Sequence, residues 1–430
     1  MPMFGSIVAF VITVALGYLM IVAAAAVAGA LARGGRRERA VDAYEALAIS
    51  RFTIPVSIVV PMTGDGKRLS SAIEALLGLN YPELEVVVVA DATAAAGIER
   101  LRREWSLDPK EFFYRRTLET SPVHRIFGSE RDHRLVVVEK APAGRADALN
   151  CGANLARFRY MVSLDPEIAF DRDALLRLMA PALRDPGAVL AVTSYVERQG
   201  SEADRPGPGA WTKAGDDYQR LASIRSWMAS RLAWHQLRCG LPPRDGVTAW
   251  RRDAVLELGG FSLRAADAEL DLLVRLQTMQ AEGAGGRVVR TSEVFGRTPT
   301  VTLAEAAAAA HRRQRAILEA LKTFRAMPGR HPSRLTMMRV MMVELLTPST
   351  QVVAALLTLL AAGAGWVGWQ AVWLTVLLLT FGYAVASASA LLLRGGTPGA
   401  PSGDELKRLL LRAPLELIVY RPALIWSRFR

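Results

Sequence analysis

Two carboxylates stand two positions apart in the run Tyr160-Met-Val-Ser-Leu-Asp-Pro-Glu167. Asp165 and Glu167 follow an apolar stretch. Carboxylates so spaced just past a strand can share a hard cation such as Mg²⁺ or Mn²⁺ that also binds phosphate oxygens. The same pair suits a turn, or a cap for the helix expected over 171–178, and spacing alone leaves both readings open. Asp91 closes a second apolar run, Glu85-Val-Val-Val-Val-Ala-Asp91. Arg312, Arg313 and Arg315 form a cationic group. It can clamp a diphosphate, or lie as a solvated or lipid-facing stripe. Other chemistries are missing from the chain. It holds no Walker loop, no G-x-G-x-x-G, no Ser-His-Asp order and no nucleic-acid module. None of the five histidines is spaced like a metal pair. Cys151 and Cys239 are too few for a disulfide framework or a Cys-rich zinc site. They read as small buried side chains.

The elements that must hold these carboxylates are strands alternating with helices. Val56-Ser-Ile-Val-Val60 is a nearly unbroken β-branched run, the mark of a strand buried on both faces. Strands are also predicted over 85–89, 135–138, 160–164 and 189–194, with a helix over 68–79 ended by Asn80-Tyr81-Pro82. Such alternation builds an α/β, mostly parallel sheet. Ligands in these sheets bind at the carboxyl ends of the strands. Asp91, Asp165 and Glu167 all fall at such ends.

The 430 residues are 51% hydrophobic and carry a net charge of +12, so the chain is not disordered. The apolar residues are concentrated in blocks. Residues 3–32 carry no charge, and about 20 apolar residues span a bilayer. Arg33, Arg36 and Arg37 follow that run, which places the N-terminus outside by the positive-inside rule. A second uncharged block over 345–393 reads as two spans, about 347–367 and 371–393, joined by an outer loop with Trp366, Trp369 and Trp373. The expected layout is a first span in 1–34 and a cytoplasmic domain over 35–335. An interfacial segment with two spans over 336–395 and a cytoplasmic tail over 396–430 follow. Within the domain, 221–237 reads as an interfacial helix or a packed domain helix, and 404–430 as an amphipathic segment on the inner face. Residues 197–217, rich in Gly, Pro and charge, read as a loop over the site or a passive linker. The location implied is a bacterial-type inner membrane, multi-pass, with membrane lipid as a partner and nucleic acid excluded.

The order of the pieces adds more than any one of them. Pro55-Val-Ser-Ile-Val-Val-Pro61, Leu79-Asn-Tyr-Pro82 and Glu85-Val-Val-Val-Val-Ala-Asp91 resemble the opening of a membrane-bound family 2 (GT-A) glycosyltransferase. Gly144-Arg-Ala-Asp-Ala-Leu-Asn150 is similar to that family's GKA-x-ALN segment, and Tyr160–Glu167 to its strand ending in D-x-D. Arg251-Arg-Asp-Ala-Val-Leu-Glu-Leu-Gly-Gly-Phe261 resembles its RR-x-A-L-x-x-x-GGF segment. The stretch Ala413-Pro-Leu-Glu-Leu-Ile-Val-Tyr-Arg421 resembles the tail of synthases of poly-N-acetylglucosamine and related polymers.

The resemblance implies an α/β GT-A domain that transfers a sugar from a UDP-sugar, with Mg²⁺ or Mn²⁺ as cofactor. The acceptor would be a polysaccharide or a lipid-linked sugar. Asp91 would contact the uracil and ribose, and Asp65 would lie under the nucleotide. Asp165 would help hold the nucleotide, and Glu167 the metal. Arg145 stands where the family has a Lys near the phosphates. Glu269 falls at the family's general base, with Asp267 close by. Arg312 and Arg313 fall in the acceptor and diphosphate region. The chain departs from the pattern at Ala90, Ala268, Ala309 and Arg313, and has Glu for Asp at the base. These departures raise an alternative: a catalytically degenerate subunit that acts as scaffold or regulator in a membrane complex, with a partner subunit or a second copy of itself.

Overall fold

The computed structural model describes residues 53–62, 69–199, 210–229, 246–281, 286–326, 356–366, 368–394, 401–416 and 420. The first expected span, Asp65, Cys239 and the end of the tail lie outside the described residues. Two compact units are formed. One holds the described residues of 36–197 and 240–299, the other those of 198–239 and 300–430.

The first unit is a sheet of ten strands flanked by helices. Its strands are β1 (Val56–Met62), β2 (Leu84–Asp91), β3 (Leu107–Pro109), β4 (Val123–Ser129), β5 (Leu135–Lys140), β6 (Tyr160–Ser163), β7 (Ala169–Phe170), β8 (Val189–Gln199), β9 (Gly246–Arg251) and β10 (Arg287–Pro299). They lie in the order β3-β4-β5-β2-β1-β6-β9-β8-β10-β7. The centre is parallel: β1 pairs with β2 and with β6, and β2 with β5. The pairs β3–β4, β4–β5, β6–β9, β8–β9 and β7–β10 are antiparallel. The sheet is therefore mixed, and the mostly parallel expectation holds only for its core. The added strands are edge pieces with few β-branched residues, or strands that carry charge, so no apolar run marks them.

The β-branched runs do what their composition demands. Every residue of β1 is buried, as is β2 from Leu84 to Ala90. One face packs on α1 (Leu69–Leu77), α2 (Ala95–Trp105) and α4 (Ala174–Arg184), burying Ile73, Leu76, Leu101, Leu176 and Met179. The other face packs on α3 (Gly144–Leu155), α6 (Arg252–Glu257) and α7 (Ala268–Ala281) through Leu149, Val255, Leu272 and Trp250. Burying one such side chain stabilises by roughly 1.5–3 kcal/mol, so these two layers dominate the folding energy. Gly152 lets α3 lie close to β1, because a Cβ there would collide with the Val59 side chain.

The second unit contains α5 (Ala210–Ala229), α8 (Leu303–Ala326), α9 (Trp369–Arg394) and α10 (Gly403–Arg412). Residues 356–363 are also helical. The described half of the expected 221–237 helix lies in α5 and is a packed helix. Its arginines are buried because acidic partners meet them from the C-terminal segment. Arg220 pairs with Glu405, and Arg225 pairs with Glu416 and donates to Ser387 Oγ at 2.6 Å. Asp217 returns the exchange with Arg412 and, at 3.2 Å, with Arg408. The helix α10 is amphipathic as expected, with Leu409 buried and Leu411 exposed. Among the described residues no helix is long and apolar enough to cross a membrane. The third expected span coincides with α9, 26 residues long, whose side chains are described only in part.

Candidate functional site

Two motifs distant in sequence are locked together by one turn. Asn150, on α3, donates from Nδ2 to the Phe261 carbonyl at 2.9 Å and accepts from the Phe261 N–H at 2.7 Å. The turn is Gly259-Gly260-Phe261. Gly260 has φ +76°, and a Cβ there would press on Asn150 and on Leu118 Cδ1 at 2.7 Å, so glycine is required. Arg275, on α7, donates to the Leu258 and Gly260 carbonyls, both at 2.6 Å. Asp271 holds that guanidinium at 2.9 Å. Arg252 donates to the Ala153 carbonyl at the end of α3 at 2.7 Å. The helices α3 and α7 are thereby fixed to the same turn, and their first turns meet at the carboxyl end of β6.

Three predicted residues converge there. Arg145 lies in the first turn of α3, and its Nη2 donates to Glu269 Oε1 at 3.1 Å. Its Nη1 lies 3.7 Å from Asp165 Oδ2. Glu269 lies in the first turn of α7, where the helix dipole favours a carboxylate. Its side chain is 22% exposed, against 46% for Arg145 and 51% for Asp165. Ser163, the last residue of β6, lies beside Glu269, and its hydroxyl lowers the pKa of that carboxyl. The Ser163 hydroxyl in turn accepts from Trp250 Nε1 at 3.1 Å. Because the hydroxyl accepts from the indole, its own proton is left to serve the carboxylate. Trp250 is fully buried, with its ring edge-on to Phe261 at 5.6 Å. Glu269 is thus flanked by Ser163, which Trp250 holds, and by Arg145.

Burial pushes the Glu269 carboxyl above its ordinary value, and Asp267 pushes it the same way. Arg145 and the hydroxyl of Ser163 pull it down without cancelling the rise. Partial burial works against the charge of Arg145, but Glu269, Asp165 and Asp267 outweigh it and hold the guanidinium protonated. A carboxylate with a raised pKa in hydrogen-bond reach of an open site is suited to accept a proton.

The other predicted residues are placed differently. Asp267 caps α7, its Oδ1 accepting the Leu270 N–H at 3.0 Å, so it serves the helix that carries Glu269. Asp91 ends β2 half-buried, and its Oδ1 accepts from the Thr93 N–H at 3.0 Å and from the Thr93 hydroxyl. Asp165 Oδ1 accepts the Glu167 N–H at 3.3 Å, so the turn reading of this residue holds alongside its contact with Arg145. Both carboxylates are exposed. Among the described residues no cluster of three or more His, Cys, Asp and Glu side chains forms a metal cage. Two exposed carboxylates do fit a hard cation that takes its remaining ligands from a diphosphate and water. Arg312 is exposed and Arg313 buried on α8, in the second unit. Sequence reasoning missed Ser163 and Trp250, because interior strand positions carry no signal of which side chain they will meet. Cys151 is buried as expected, and burial pushes its thiol up to about 12, so it is inert.

Residues 57–259 match the family model described as Glycosyl transferase family 2. This segment is a family 2 glycosyltransferase domain. Glycosyl transfer is the activity class such a domain carries. The match contains Asp91, Asn150, Arg145, Asp165 and Glu167, and ends before Glu269. Among solved structures, the chain is similar to the mannosyltransferase PcManGT from Pyrobaculum calidifontis, in complex with GDP-Man and Mn²⁺. The identity is 18% over 93% of this chain and 99% of that one, with a TM-score of 0.53, so the two share the fold. TarS 1-349 from S. aureus in complex with UDP-GlcNAc matches at 13% identity over 86% and 92% of the two chains, with a TM-score of 0.41. Glucosyl-3-phosphoglycerate synthase from Mycobacterium tuberculosis, with Mn²⁺, UDP and phosphoglyceric acid, matches at 15% over 66% and 84%, with a TM-score of 0.36. No curated protein is significantly similar to the chain in sequence.

Proposed function

We propose that the chain is an inverting glycosyltransferase that uses a UDP-sugar and acts on a polysaccharide or lipid-linked acceptor at a bacterial-type inner membrane. The observation that carries this reading is the contact of Arg145 with both Glu269 and Asp165 at the carboxyl end of β6. It gathers a cation for a diphosphate, a carboxylate suited to accept a proton, and an open carboxylate in one place. In the reaction Glu269 takes the proton of the acceptor hydroxyl. The acceptor oxygen bonds to the anomeric carbon as the bond from that carbon to the diphosphate breaks, and UDP leaves with the electron pair. Arg145 binds the diphosphate through its paired N–H groups. Asp91 and Asp65 serve the nucleoside. Asp165 and Glu167 would hold a divalent metal, which would supply charge neutralisation for the leaving diphosphate. Asp267 fixes the first turn of α7 and through it Glu269.

The membrane part rests on the uncharged runs and on α9, where Trp373, Leu377, Phe381 and Leu392 are exposed. The cytoplasmic placement of the domain rests on the basic residues after the first run.

A second reading, a scaffold without turnover, is favoured by Arg313. It is buried where the family places an aromatic for the acceptor. UDP release from a panel of UDP-sugars by the protein in detergent or nanodiscs, beside Glu269→Gln, decides between them. The enzyme reading expects release that falls by at least about a thousandfold in the variant, the scale of losing both general base and alignment. Release at equal rates in both proteins, or from no sugar in the panel, contradicts it.

A further inference from the structure

The contact between Arg145 and Glu269 has a cost for the reaction. Arg145 is the cation available for the diphosphate, and it is hydrogen-bonded to the group that must accept a proton. It also faces Asp165 at 3.7 Å, so two carboxylates compete with a donor for one guanidinium. Ser163, held in turn by Trp250, also lies beside Glu269, and Asp267 pins the start of its helix. Losing Arg145 therefore leaves Glu269 in place. Arg145 itself sits on a first helical turn and is half exposed, so its side chain is free to swing to a ligand.

We propose that Arg145 is a donor-operated latch: it occupies Glu269 in the empty enzyme, and the donor's diphosphate draws it off, freeing the base only when a donor is bound. This rests on the glycosyl-transfer reading above and adds an order of binding to it, donor before acceptor. The ligand class is a nucleoside diphosphate, since the guanidinium responds to the phosphates and not to the sugar or the base.

The test is a double-mutant cycle on UDP binding, with GDP in parallel, by calorimetry on the full chain with Mg²⁺ present. In the cycle Glu269→Gln removes the carboxylate charge that holds Arg145, so UDP affinity rises about three- to tenfold, the scale of one partly exposed charged hydrogen bond. Arg145→Ala weakens binding, and adding Glu269→Gln to it restores nothing. A gain that persists without Arg145 means simple charge repulsion and overturns the latch. So does a Glu269→Gln variant that binds UDP no more tightly than the parent. A parent that binds neither UDP nor GDP removes the glycosyl-transfer reading itself, and the latch with it. Thermal unfolding of each variant, with Arg145→Gln as the milder alternative, separates lost binding from lost fold.

Discussion

Ser163→Ala isolates the buried half of the grip on Glu269. Ser163 is 2% exposed, and its hydroxyl accepts from Trp250 Nε1 at 3.1 Å and lowers the pKa of Glu269 beside it. Removing it leaves a fully buried indole N–H without its partner, which costs about 1–3 kcal/mol of stability. It also frees Glu269 on its core side. A misplacement of about 1 Å can cost on the order of a hundredfold, so kcat is expected to fall about ten- to a hundredfold while KM for the donor changes little. The pH profile gives a sharper signature. The Ser163 hydroxyl lowers the Glu269 pKa, so its loss raises that pKa further. The base must be ionised to work, so the acid limb of kcat against pH moves to higher pH. Steady-state UDP release across pH, with thermal unfolding on the same preparations, reads all three effects. An acid limb that stays still or moves to lower pH, in a variant destabilised as expected, refutes the link from Ser163 to the base.

Two further substitutions test the parts that hold the site and the second unit. Asn150→Ala leaves the Phe261 N–H and carbonyl unpaired in the core and is expected to cost about 2–4 kcal/mol in denaturant unfolding; Gln in its place, one methylene longer, should not restore it. Arg225→Ala removes the guanidinium that meets the buried Glu416 carboxylate and is expected to cost about 3–5 kcal/mol in thermal unfolding, whereas Arg225→Met with Glu416→Leu is expected to cost far less.

Parts of this site were legible in the sequence because they depend on local chemistry. The runs Val56-Ser-Ile-Val-Val60, Glu85-Val-Val-Val-Val89 and Tyr160-Met-Val-Ser-Leu164 announce buried strands, and Asp91 and Asp165 follow from where the last two end. The short strands β3 and β7 carry no such run, and β10 contains Arg287, Arg290, Glu293 and Arg297 within its 13 residues. A pattern of polarity cannot reveal a strand whose charge is met from elsewhere in the chain, as Arg287 is by Asp185 at 3.1 Å. The arginines of α5 are the same case. Arg225 and Glu416 are 191 residues apart, and only the fold shows that one neutralises the other. The resemblance puts Glu269 at the base position with Asp267 close by, and only the hydrogen bond from the Leu270 N–H shows that Asp267 is a helix cap. The contact of Arg145 with Glu269 spans 124 residues and depends on the shared Phe261 turn. Its partners were each named from the family resemblance, but their direct contact was not.

The central claim is that the carboxyl end of β6 is a working donor site. Calorimetric titration of UDP into the purified full-length protein, with and without Mn²⁺ and beside Asp165→Ala, tests it most directly. Binding is expected to strengthen with Mn²⁺ in the parent and to lose that metal dependence in the variant. Absence of UDP binding under every metal condition, from protein that unfolds cooperatively, would contradict it.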